Sequence, residues 1–284
     1  MLRQPRGIAL RTREEIGKLD EAARLVAETL EIVRDSCAEG ARTEDLDAIA
    51  SAHIRAHGGT SLFRGYRQGD SAPFPADTCI SINEEVVHGI PSSRALESGD
   101  LVCVDVGVLL EGWCGDSAVS VLVGSEGAAP SVASLQGKTR EVLALGVSMV
   151  RPGRKWSDIG MEMERACDRM GVGIVTEYVG HGIGRELHEP PKAPAYWSGF
   201  RGQDFELREG MVISIEPMLT AGQGGPAANG SHGDFPAFRM PVEVDPRDGW
   251  TVRTADGGLS CHEERMVAVE ASGGRVLGGL SIES

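Results

Sequence analysis

One pattern constrains this chain more than any other: the order helix, glycine-bearing turn, helix, strands occurs twice. The second pass follows the first at an offset of 113 residues. At that offset Leu30 meets Leu143, Ile32 meets Leu145, Gly40 meets Gly153 and Arg42 meets Lys155. Asp45 likewise meets Asp158, Leu46 meets Ile159 and Gly58 meets Gly171. Any two amphipathic helix pairs align somewhere. An offset that holds through two helices and both of their glycine stops argues for an internal duplication. A duplicated fold places its site between the halves, so functional side chains are expected from both.

The elements follow from local chemistry. Thr12 and Glu15 form a capping box, and Ile16, Leu19, Ala23, Val26, Leu30 and Val33 recur at helical spacing up to Gly40. A second helix is expected from about Thr43 to His57, a third from about Ser134 to Val150 and a fourth from Ser157 to Met170. Glycines or the Pro152-Gly153 pair close them. CISINEEVV, LVCVDVGVLL, DSAVSVLVG, VGIVTEYVG, MVISIEPM and ERMVAVE are β-branched and apolar and read as strands. Residues 221–248 read as a long, mostly exposed loop.

Composition excludes several function classes. A net charge of −14 disfavours nucleic acid as a partner. No apolar run reaches bilayer length, so no membrane partner is expected. The N-terminus lacks the apolar core of a signal peptide. The six cysteines are scattered without a CxxC pair, which points to reduced thiols and a cytoplasmic location.

The acidic residues inside apolar strands carry the chemistry. Asp105 lies in LVCVDVGVLL, where a buried charge is expensive unless paired or metal-bound. A two-residue turn at Glu111-Gly112 sets Asp116 opposite Gly107. Side chains alternate along a strand, so Asp105 and Asp116 become diagonal neighbours on one face, with Gly107 leaving room between them. Two carboxylates that close need a cation. In GHGIGRELHEPP, His181 stands between glycines that let the backbone approach a ligand, and His188 follows. Glu216 interrupts VISIEPM, and Glu264 enters the final apolar strand. Each residue alone has an ordinary structural explanation. Together, four carboxylates and one imidazole without a thiolate make a hard, oxygen-rich set suited to Mn, Fe(II), Co or Zn in a two-metal arrangement.

These strings, CISINEEVVHGIP, VDVGVLLEGWCGDSA, GHGIGRELHEPP, ISIEPM, DGWTVRT and SCHEERMVAV, resemble the type I methionine aminopeptidases in order and spacing from about Thr12 to Glu270. The resemblance implies the α+β pita-bread fold, with duplicated helix–helix–strand halves around a central antiparallel sheet and a dimetal site between them. It implies one catalytic domain over residues 1–284, with an extension at 1–11 and an inserted Gly/Pro-rich loop at 221–247. Asp105 would chelate one metal, Asp116 and Glu264 would bridge both, and His181 and Glu216 would complete the second. Glu216 would also serve as the base. His88 would contact the scissile amide and His188 the scissile carbonyl oxygen. Tyr66, Phe74, Cys79, Leu187 and Trp250 would line the methionine pocket. The implied partners are nascent polypeptide N-termini beginning with Met, and the ribosome. The implied state is a monomer.

Three positions depart from the family pattern. Gly107 stands where Thr is usual, Leu187 where Phe is usual, and Arg265 where His is usual. Arg265 is expected to pair with a ligand carboxylate and weaken its donation, and His262 to act as a supporting partner of the ligands. Two alternatives remain at this stage: an X-Pro-specific peptidase of the same fold, and a catalytically silent pita-bread binding protein.

Overall fold

In the computed structural model, which describes residues 7–69, 71–124, 129–199, 204–221 and 239–282, α1 (Arg13–Ser36) starts at its capping box. Thr12 Oγ1 accepts the Glu15 amide at 3.2 Å, and the Glu15 carboxylate accepts the Thr12 amide at 2.9 Å. Helices α2 (Thr43–Ala56) and α4 (Trp156–Met170) lie within a residue of their predicted bounds. Helix α3 (Pro130–Met149) begins ahead of the predicted Ser134, because Pro130 in the first turn already has the helical φ.

The 113-residue repeat is visible in the backbone. Gly40 and Gly153 adopt φ of +85° and +84°, and Gly58 and Gly171 adopt +77° and +65°. Arg42 forms an isolated bridge with Ala95, and its counterpart Lys155 forms one with Glu206. Leu30 and Leu143 are both fully buried. Each helix pair covers its own core. Helices α1 and α2 pack Leu30, Leu46 and Ile54 against Ile80, Val102 and Val104. Helices α3 and α4 pack Leu143, Ile159 and Met163 against Ile213, Ile215 and Val267.

Two antiparallel ladders, one from each half, meet at the centre. In one, Leu101–Leu110 lies between Cys79–Ile82 and the returning strand Trp113–Leu122. In the other, Val212–Ile215 lies between Arg265–Glu270 and Gly180–Gly182. An antiparallel bridge from Ala118 to Glu264 joins them. Almost all pairing is antiparallel; Arg239–Met240 with Gly173–Val175 is parallel.

The predicted loop at 221–248 is corrected over its described part. Val242–Val244 pairs with Val252–Thr254, which pairs with Glu85–Val87. Met240, Val242 and Val244 alternate as a strand should, but the surrounding Pro and Gly conceal so short a run. Residues 222–238 of that loop, and 1–6 of the N-terminal extension, lie outside the described residues. Among the described residues no helix is long and apolar enough to cross a membrane. The six cysteines are free thiols.

Candidate metal centre

The hairpin places the two aspartates where alternation requires. Glu111 and Gly112 take φ of +49° and +78°, the left-handed pair of a two-residue hairpin turn. Asp116 then pairs with Gly107, and Asp105 with Ala118. Gly107, however, does not leave open space. A Cβ there would lie 2.6 Å from Phe63 Cε1, so the Phe63 ring fills the volume.

The second half brings three more donors. His181 sits on Gly180–Gly182, a short strand and not a loop. Its flanking glycines serve strand packing: a Cβ at Gly180 would meet Ser214 O at 2.4 Å, and one at Gly182 would meet Pro190 O at 2.4 Å. Glu216 follows Val212–Ile215, and Pro217 ends the ladder there. Glu264 precedes Arg265–Glu270 and accepts a hydrogen bond from Ser214 Oγ.

These side chains converge. Asp116, His181 and Glu264 each offer a ligand atom within 4.8 Å of the other two. His181 Nε2 is 3.7 Å from Asp116 Oδ2 and 3.6 Å from Glu216 Oε1. His181 Nδ1 lies 3.0 Å from the Gly182 carbonyl oxygen, so in the neutral ring Nδ1 carries the proton and Nε2 is free to ligate. Asp105 Oδ1 and Asp116 Oδ1 are buried without a hydrogen-bond partner. Among the described residues, no Lys or Arg forms an ion pair with any of the four carboxylates.

The electrostatics of these groups favour a cation. Burial, and then the charge of Glu264, push Asp105, Asp116 and Glu216 well above the usual carboxylate range. Burial raises Glu264 to about 7. Burial, and then His188, lower His181 to about 4, which leaves it neutral. Orphaned carboxylate oxygens around a neutral imidazole fit hard or borderline divalent ions.

A cavity of about 150 Å³ opens onto these groups. Tyr66, Phe74, Cys79, Leu187 and Trp250 all line it, as do His88 and His188. Phe74 meets Trp250 edge-on at 5.3 Å, and Trp250 Nε1 is anchored by the Ala72 carbonyl at 2.9 Å. His88 adopts a left-handed φ of +59°, a cost that side chains at functional sites often carry. Tyr66 Oη lies 3.1 Å from His188 Nδ1.

Sequence reasoning missed Phe63, Tyr178 and Met218 in this lining. Tyr178 meets His88 edge-on at 5.2 Å. Its only signal is a position three residues before His181. His262 stands beside the candidate ligands: its Nε2 is buried, without a hydrogen-bond partner, and 3.8 Å from Glu216 Oε2. The expectation for Arg265 is corrected. Alternation turns it away from the carboxylates, and its Nη1 donates to the Ala118 and Glu264 carbonyl oxygens at 2.8 Å each. Its ion-pair partner is Glu263, at 3.5 Å.

Comparison with known proteins agrees with this geometry. The family model described as metallopeptidase family M24 matches residues 17–271. A methionine aminopeptidase of Aquifex aeolicus is 35% identical over 95% of this chain and 98% of its own. The crystal structure of methionine aminopeptidase from Rickettsia prowazekii superposes with a TM-score of 0.83 at 32% identity, covering 95% of this chain and 99% of that one. A prolidase from Pyrococcus horikoshii shares the fold, with a TM-score of 0.69 at 19% identity. This chain covers 64% of its length. The fold is the pita-bread fold of both groups. With matches of this extent, the chain belongs to metallopeptidase family M24, among its methionine aminopeptidases and their divalent-metal chemistry.

Proposed function

We propose that this protein removes the N-terminal methionine from nascent polypeptides in the cytoplasm, acting as a monomer near the ribosome. The whole chain acts as one catalytic domain. The observation that carries this reading is the set of buried carboxylate oxygens without a protein partner at the floor of an apolar cavity.

Asp105, Asp116, His181, Glu216 and Glu264 are the candidate ligands of two divalent ions. When bound, such ions lower the pKa of a coordinated water and attract a free α-amine. The chain supplies the rest. Among the described residues Glu216 pairs with no Lys or Arg, only with the His181 and His262 rings, and it is the group to accept the proton of the attacking water. If the Tyr66 hydroxyl donates to His188 Nδ1, the neutral ring keeps its proton on Nε2, ready to donate to the developing oxyanion. Burial, and then His188, hold His88 at about 4, so it is neutral at pH 7 and can accept a hydrogen bond from the scissile N–H. Phe74, Cys79, Leu187 and Trp250 give the methionine side chain a soft apolar wall.

Cleavage of Met-Ala-Ser by the metal-loaded protein tests the reading directly. Release of free methionine is expected; a preference for an X-Pro peptide would point to the prolidase-like alternative. A protein that holds two ions per chain yet cleaves neither peptide would sink the enzyme reading. Asp105→Asn should lower metal content at equal added metal. His188→Ala should lower kcat by about 100-fold, on the scale of a lost oxyanion donor, with metal content unchanged.

A further inference from the structure

A second cluster of metal-ligating groups lies on the α1–α2 hairpin. His53 and His57 are four residues apart, which places both imidazoles on one face of α2 and its C-terminal cap. Glu28 reaches them from α1. One ligand atom from each of Glu28, His53 and His57 lies within 4.8 Å of the others. None of the three lines the central cavity.

The local hydrogen bonding prepares the His57 ring, and burial without a partner leaves His53 Nε2 available. His57 Nδ1 lies 2.9 Å from the His53 carbonyl oxygen. A carbonyl only accepts, so a neutral His57 carries its proton on Nδ1 and leaves Nε2 with a free lone pair. His53 Nε2 is buried and has no hydrogen-bond partner, and the Glu28 carboxylate stands 3.8 Å away. The two rings are 4.1 Å apart, centroid to centroid. The separation of Glu28 from His53 is too long for a hydrogen bond. It lies within about 0.5 Å of the ligand–ligand spacing on a tetrahedral ion with bonds of about 2.0–2.1 Å.

We propose that Glu28, His53 and His57 form a second divalent transition-metal site, distinct from the central one. Two imidazoles and one carboxylate suit Zn²⁺, with Ni²⁺ and Cu²⁺ as competitors. Three protein ligands leave a position for water. The ion sits at the C-terminal end of α2, where the helix dipole favours positive charge. Its consequence is mechanical: it fastens the end of α2 to the middle of α1.

Zn²⁺ binding by the full-length protein tests this, read by equilibrium dialysis with metal analysis. Wild type should hold one more Zn²⁺ per chain than the His53→Gln/His57→Gln variant. Asp105→Asn, which alters the central site, should still lose one Zn²⁺ when these two substitutions are added. Glu28→Gln should weaken that extra ion by about tenfold, the effect of losing one ligand-shell interaction. These side chains lie at the surface of a helix pair, and unchanged far-ultraviolet circular dichroism with unchanged peptidase activity would establish that the variants fold. Equal Zn²⁺ content in wild type and the double histidine variant overturns the proposal. So does a Glu28→Gln variant with undiminished affinity, because the ion would then rest on the histidine pair alone.

Discussion

At the scale of single residues, Gly107 and Phe63 form a matched pair. The ring of Phe63 occupies the volume that a side chain at 107 would need, with closest approach 2.6 Å. Gly107→Thr therefore overpacks the hairpin beside Asp105 and Asp116 and should cost about 1–3 kcal/mol. In a Phe63→Ala background the cost of Gly107→Thr should largely vanish, and a double-mutant cycle in urea measures the coupling. Additive costs would mean that the two side chains do not compete for space. Arg265 shows the same dependence on direction. From sequence it stands beside a candidate ligand; in space the strand turns it to Glu263 and three backbone carbonyls, those of Ala118, Glu264 and Ser281.

At the scale of elements, the repeated helix pairs make a comparison possible within one molecule. Gly40 and Gly153 occupy equivalent turns with nearly equal positive φ, and at neither position would a Cβ meet another atom within 4 Å. Replacement by Ala thus isolates the backbone cost. Gly40→Ala and Gly153→Ala should each destabilise by roughly 1 kcal/mol, and the pair should be additive. Chemical denaturation checks this. Unequal costs would show that the two turns have diverged in strain. The amphipathic helices, the hairpin turn and the Asp116–Gly107 register were legible because their periodicities are local. The strand at Val242–Val244 was not. Short strands owe their existence to the partners that pair with them, and those partners are distant in sequence.

At the scale of the whole molecule, the metal centre is a conflict that folding creates. Two halves each bring buried carboxylates to one point, and burial raises Glu264 to about 7. The metal-free protein therefore keeps a proton there as pH falls below that value. A metal ion must displace it, so affinity is lost as pH falls through about 7 and is insensitive to this group above it. His181, held at about 4, is already neutral and adds nothing in that window. Calorimetry in buffers of different ionisation enthalpy should find more protons released per metal bound at pH 6 than at pH 8. Equal release at the two pH values would show that Glu264 does not titrate between them.

The candidate ligands and the 113-residue repeat were readable in the sequence as residue types at fixed spacings, whereas the pocket residues came only from the family resemblance. A charge in an apolar strand declares itself without coordinates. What only the tertiary structure decided is which neighbours each residue meets. It gave the space beside Gly107 to Phe63, brought Tyr178 and His262 to the site, and turned Arg265 away from it. It also set Glu28 beside His53 and His57, a cluster that no local pattern connects because its members lie on different helices. Periodicity fixes the face a side chain takes within its own element. Only packing between elements determines what lies across from that face.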